Sequence, residues 1–132
     1  MFTQYLEQAV LNHIFGKTAY AEPTIYVGLS TADPAYNGSG LAEPSGNGYA
    51  RVAVPAASWN AATGGNPATI TNASQITFPQ ATGSWGTVTY GCIFDAATGG
   101  NLLASGALAV AQVIGSGNTA DFAASTFAVT LQ

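Results

Sequence analysis

The single histidine, His13, is where a search for catalysis begins, because a nucleophile needs a base within hydrogen-bond reach. It lies beside an apolar helical stripe, in Leu11-Asn12-His13-Ile14-Phe15, and reads as a helix-packing residue rather than a base. Cys92, the only cysteine, cannot form an internal disulfide and sits inside an apolar β-type run, which predicts a buried, inert thiol. The six carboxylates Glu7, Glu22, Asp33, Glu43, Asp95 and Asp121 stand singly, with no pair suggesting the two acids of glycoside hydrolysis. No Cys/His pair has zinc spacing, and Asp33-Pro34-Ala35-Tyr36-Asn37-Gly38 breaks the alternating-oxygen pattern of a calcium loop. Gly38-Ser39-Gly40 and Gly46-Asn47-Gly48 are followed by neither a helix start nor a lysine, so they do not cradle phosphate. The residues predict no enzyme, no metal and no cofactor.

Binding is the remaining class. Trp59, Trp85, Tyr36 and Tyr49 would stack on sugar rings if exposed, as in a lectin-like tip. As core aromatics of a β-sandwich they would do no such thing, and that reading is preferred. Only Lys17 and Arg51 are permanently cationic, which excludes nucleic acid as a partner. Arg51, a lone cation in a strand, must pair with a carboxylate of its own chain or a neighbour's. No segment joins a basic start, an apolar core and a cleavage site, so no secretory leader is expected and the Asn72-Ala73-Ser74 sequon is a chance match. The apolar runs fall short of the ~20 residues that span a bilayer, so no membrane is expected either.

The elements that must position these residues are mostly strands. With 132 residues the chain is one domain, 1–132. Its charged fraction is 6%, against ~25% in ordinary domains, while 48% of residues are apolar and 16 are glycine. That balance predicts a β-rich domain with a Ser/Thr/Asn/Gln/Ala surface, poorly protected against association. Ile76 to Ala109 is the central stretch: Val88, Tyr90, Cys92 and Phe94 alternate onto one face of a strand. Asp95 to Asn101 reverses direction, with the Asp95 side chain capping the turn, and Leu102 resumes. Thr24–Ser30 alternates with Ile25, Val27 and Leu29 inward, and Gly28 makes room for a close neighbour. Tyr49–Val54, Thr69–Thr71, Gln75–Phe78, Gln112–Ile114, Ala120–Phe122 and Thr126–Leu131 supply further strands. The fold class expected is mainly β, an antiparallel β-sandwich or jelly-roll-like domain with one N-terminal α-helix.

That helix covers residues 3–15 within an N-terminal arm, 1–17, capped by Thr3 and closed by Gly16. Its stripe of Leu6, Val10 and Ile14 serves as a lid on the sheet or an arm for a neighbour. Residues 31–48 form a Gly/Pro/Asn-rich loop, longer than usual and so mobile or a contact element, with Tyr36 and Leu41 as apolar anchors. Ala-Ala-Thr-Gly-Gly-Asn occurs twice, at 61–66 and 96–101, without flanks that align.

Six segments then carry a resemblance: Leu11–Ala19, Ile25–Pro34, Gly46–Val52, Ile76–Pro79 and Trp85–Val88 with Ile93–Leu103. Together, in this order and over nearly the whole chain, they resemble a family of small tailed-bacteriophage virion structural proteins commonly labelled phage tail fibre proteins. The resemblance implies a non-enzymatic component of the phage particle, assembled in the bacterial host cytoplasm, and brings no catalytic residues. The chain shows neither repeats nor a coiled coil, so a capsid decoration (cement) protein stabilising the head shell is the first expectation. A tail fibre or baseplate-associated subunit is the alternative, and a lectin-like host contact comes third. The partners expected are other virion proteins, either the major capsid protein or tail proteins, and further copies in a homo-oligomer such as a trimer. The contact residues expected are Leu6, Val10 and His13 on the helix and Asp33, Tyr36, Asn37, Leu41, Glu43 and Tyr49 along the loop.

Overall fold

The computed structural model describes residues 1–131, a mainly β, antiparallel fold with one N-terminal helix. Helix α1, Gln4–Ile14, begins where the sequence places it: Thr3 is the N-cap and accepts the Leu6 N–H, and Gly16 follows at φ 71°. Strands β1 (Ile25–Ser30), β2 (Val52–Val54), β6 (Gly86–Phe94) and β7 (Leu102–Ile114) form one sheet in the order β2-β1-β6-β7. The second layer is split. Strands β3 (Thr63–Gly64), β4 (Ala68–Thr71) and β9 (Ala128–Leu131) form one short sheet, and β5 (Ile76–Thr77) with β8 (Asp121–Phe122) forms another.

Directly opposed residues of an antiparallel pair share a face, so the registers Val27 to Ile93, Leu29 to Gly91 and Ile25 to Val54 define the inner surface of the large sheet. Val27, Leu29, Val54 and Val88 from that surface close on Ile76, Phe78, Trp85 and Ala81 in the main core. Ile93, Leu103 and Ala104 form a second cluster, against which Phe2, Leu6, Trp59 and Val129 pack. Tyr49, Phe78, Trp85, Phe122 and Phe127 make a chain of aromatic contacts with centroids 4.9–6.5 Å apart.

Three readings of the sequence change here. Val88 does not share a face with Tyr90, Cys92 and Phe94. Val88 opposes Gln112 while Tyr90 opposes Ala107, so Leu108 to Ala111 on β7 face only Thr89. This wide bulge shifts the phase of the strand, leaving Val88 inward and Cys92 and Phe94 on the outer face. Gln112–Ile114, expected as its own strand, is the far end of β7. Nor are residues 31–48 loose. Pro34 and Pro44 are buried, Thr31 N–H donates to the Ala42 carbonyl at 2.9 Å, and the Ser30 hydroxyl accepts from Ala42 N–H at 3.1 Å. The repeated hexapeptides take different structures: one contributes β3, the other is the turn in which both Asp95 carboxylate oxygens accept from Asn101.

The N-terminus is stitched to the large sheet. Met1 and Ser105 exchange two hydrogen bonds, at 2.7 and 3.0 Å, and Thr3 N–H donates to the Leu103 carbonyl at 2.9 Å. The Thr3 hydroxyl also donates to the Leu102 carbonyl at 2.6 Å, so one residue both caps the helix and fixes where it leaves β7.

Candidate functional site

The densest polar cluster lies on the outer face of the large sheet. Arg51, just before β2, lays its guanidinium over the Phe94 ring at 3.4 Å from the centroid. Its Nε and Nη2 donate to the two oxygens of Glu43 at 2.9 and 2.6 Å, and its Nη1 donates to the carbonyls of Ala96 and Gly99 at 2.8 Å each. The Tyr49 hydroxyl donates to Glu43 at 2.8 Å and accepts the Leu29 N–H at 2.9 Å. Glycine is required at position 28, where a Cβ would come within 2.8 Å of the Phe94 ring and 2.9 Å of the Tyr49 hydroxyl. Arg51 is 7% exposed and Glu43 19%, so the pair is largely dry and fully hydrogen-bonded.

The cluster is a clamp, not a reaction centre. Burial raises the Tyr49 hydroxyl far above its ordinary value, and the adjacent Glu43 raises it further. Burial likewise pushes the Cys92 thiol up to about 12, where it is neither nucleophile nor ligand at neutral pH. Among the described residues, no three of His, Cys, Asp and Glu gather to hold a metal ion, and no helix is long and apolar enough to cross a membrane.

The clamp absorbs two of the residues expected at a contact surface. Glu43 and Tyr49 are half-buried and spend their polar atoms inside the chain. Leu41 is half-buried as well. The exposed loop residues make local turns: Asp33 accepts the Ala35 N–H at 2.9 Å and Asn37 the Ser39 N–H at 3.0 Å. Tyr36 joins the loop to the helix. Its carbonyl accepts from Gln4 N–H at 3.0 Å and its hydroxyl, 2.5 Å from the carboxylate, donates to Glu7. His13 is exposed rather than packed, and its Nδ1 accepts the Tyr20 N–H at 3.1 Å, tying down the segment that follows the helix. The tryptophans are internal: Trp85 Nε1 donates to the Asn47 carbonyl and Trp59 Nε1 to the Val54 carbonyl, leaving Tyr36 the exposed aromatic of the sugar-binding reading.

What the chain leaves uncovered is apolar. No residue of α1 is buried. Leu6 rests against the second core cluster, but Val10, Leu11, Ile14 and Phe15 are 36, 58, 70 and 71% exposed. At the foot of the helix, Phe2, Leu6, Ile25, Trp59, Ile70 and Val129 line an apolar groove of about 200 Å3. A broader cleft of about 730 Å3 opens between β7 and the β8–β9 side, lined by Leu108, Ile114, Phe122 and Phe127 with Asp121 at its wall. The sequence shows the helical stripe but not that its second half lies clear of the core. Nor does it show that Arg51 chooses Glu43, eight residues upstream across a loop.

Among curated proteins the chain has no match. The family model described as podophage GP4 fiber I protein gp80 matches residues 1–130, in agreement with the resemblance carried by the six sequence segments, and the chain belongs to that family of phage fibre-type structural proteins.

Proposed function

We propose that the protein is a non-enzymatic structural subunit of the podophage tail, a compact module that holds a short fibre in place by contact with other virion proteins. The observation that carries this reading is the second half of α1. Ile14 and Phe15 are 70 and 71% exposed on an element hydrogen-bonded to the sheet at its N-terminal end, as expected of an arm awaiting a partner surface. The family match to a fibre protein supports the tail as the setting. Support for capsid decoration comes from shape: a single small domain with one 11-residue helix and no repeated module is not a fibre shaft. Both roles use the same surface and differ in stoichiometry. Copy number per virion, measured by mass spectrometry against the major capsid protein, is expected to be a handful. A ratio near one to one would place the protein on the head shell and overturn the tail assignment.

A further inference from the structure

Asparagine followed by glycine is chemically labile. The glycine amide nitrogen can attack the asparagine side-chain carbon, because glycine carries no side chain to hinder the approach and lets the backbone turn. The chain has two such steps, Asn37-Gly38 and Asn47-Gly48, both on the loop of residues 31–48. Their surroundings differ. The peptide unit is planar, so ring closure requires it to turn as a whole until its nitrogen faces the side chain. At Asn47 that turn is blocked. Its carbonyl accepts the Thr82 N–H at 3.0 Å and the Trp85 Nε1–H at 2.9 Å, and both bonds would break. Its side-chain nitrogen donates to the Ser84 carbonyl at 3.0 Å, and a Cβ on Gly48 would come within 2.9 Å of the Gln80 carbonyl oxygen. At Asn37 the same turn costs only the bond from Gly38 N–H to the Ala35 carbonyl, 3.1 Å, and freeing the side chain costs the bond from Ser39 N–H, 3.0 Å. Both bonds are local to one turn. Asn37 is exposed, and a Cβ on Gly38 would meet nothing nearer than the Leu102 side chain at 3.9 Å.

We propose that Asn37 is a site of spontaneous deamidation at the joint between loop and helix, and that the fold protects Asn47 from the same reaction. Hydroxide takes the proton of the Gly38 amide, and the nitrogen attacks Cγ of Asn37. The new N–Cγ bond closes a succinimide ring. The Cγ–Nδ2 bond breaks, and Nδ2 leaves as ammonia with a proton taken from water. Water then opens the ring. Breaking the bond between the ring nitrogen and Cγ gives aspartate. Breaking the bond between that nitrogen and the main-chain carbonyl carbon gives isoaspartate, whose main chain runs through Cβ and Cγ. Water and hydroxide are the only co-reactants. Either product adds one negative charge to a chain whose formal net charge is −4. The charge arises on the residue after Tyr36, whose carbonyl accepts the Gln4 N–H and whose hydroxyl donates to Glu7. Isoaspartate also puts an extra methylene into the main chain beside the bond that holds the start of α1.

The test is peptide mapping by mass spectrometry of the full chain, kept folded at mildly alkaline pH and body temperature, beside the same chain unfolded in guanidinium chloride. In the unfolded chain the change from amide to acid is expected at both asparagines at similar rates, since glycine follows each. In the folded chain it is expected at Asn37, with Asn47 slower by about tenfold or more because the turn there breaks the two bonds to its carbonyl. Aspartate and isoaspartate peptides should appear together, as the ring route requires. Anion exchange of the intact protein should resolve a more acidic species that grows with time. Asn37→Gln, whose longer side chain closes a ring poorly, is expected to lack it. Equal conversion at Asn37 and Asn47 in the folded chain would overturn the proposal. So would an Asn37 that stays intact while the unfolded chain converts, or an acidic species that persists in Asn37→Gln.

Discussion

Removing the Arg51 side chain leaves the Glu43 carboxylate with the Tyr49 hydroxyl as its remaining donor, strands the carbonyls of Ala96 and Gly99 in a nearly dry site, and uncovers the Phe94 ring. Breaking a buried ion pair from one side leaves the other charge uncompensated. Arg51→Ala is therefore expected to lower stability by about 3–5 kcal/mol in urea unfolding. Lysine restores the charge but not the planar fork or the stacking, so Arg51→Lys should recover only a minor part. Equal stability of Arg51→Lys and wild type would show that charge alone matters. That Arg51 needs a carboxylate was legible in a chain with two permanent cations. Which carboxylate was not, because the choice depends on how a loop of irregular backbone returns to the sheet.

At the scale of elements, the loop of residues 31–48 belongs to the fold. It delivers Glu43 to Arg51, buries Pro34 and Pro44, and holds the helix through Tyr36. Were these residues only a mobile or contact element, deleting 37–46 would spare the fold. The clamp predicts instead that the deletion lowers the unfolding midpoint by more than Arg51→Ala does, since Leu41 and Pro44 are lost together with Glu43. A shortened protein that melts like wild type would refute this. The ends of α1 were readable because caps are local chemistry: Thr3 and Gly16 act within a turn of their own positions. The phase of β6 was not, because the residues that break its alternation, Leu108 to Ala111, lie on the partner strand. Periodicity within one strand carries no record of extra residues in its neighbour.

For the whole molecule, scarcity of charge decides how stability responds to pH. The buried acids whose ionisation is suppressed are Cys92, raised from 9.0 to about 12, and Tyr49, raised from 10.0, both chiefly by burial. Between the unfolded and folded values of such a group the unfolded chain binds fewer protons, so stability is full below about pH 9 and falls as pH rises. Each group contributes a slope of about 1.4 kcal/mol per pH unit across its window. Cys92→Ala should flatten the loss that begins near pH 9 and leave the part due to Tyr49. An identical alkaline profile for the variant would show that Cys92 does not control it. The fold class could be read from strand patterns and turn residues. Which part of the helical stripe stays uncovered could not, since the exposure of Ile14 depends on how far the body extends beneath the helix.

The wide bulge in β7 bears on association at the sheet edge, because an edge strand presents unpaired N–H and C=O groups on which another chain can add. A thirteen-residue outer strand without lysine or proline, running straight, would be a template on which copies could add edge to edge without limit. Residues 1–3 already occupy the edge at Leu103 to Ser105, and the bulge at Leu108 to Ala111 bends the remainder out of line. The occupied edge and the bulge together leave little regular strand on which a chain with only 6% charged residues could add edge to edge.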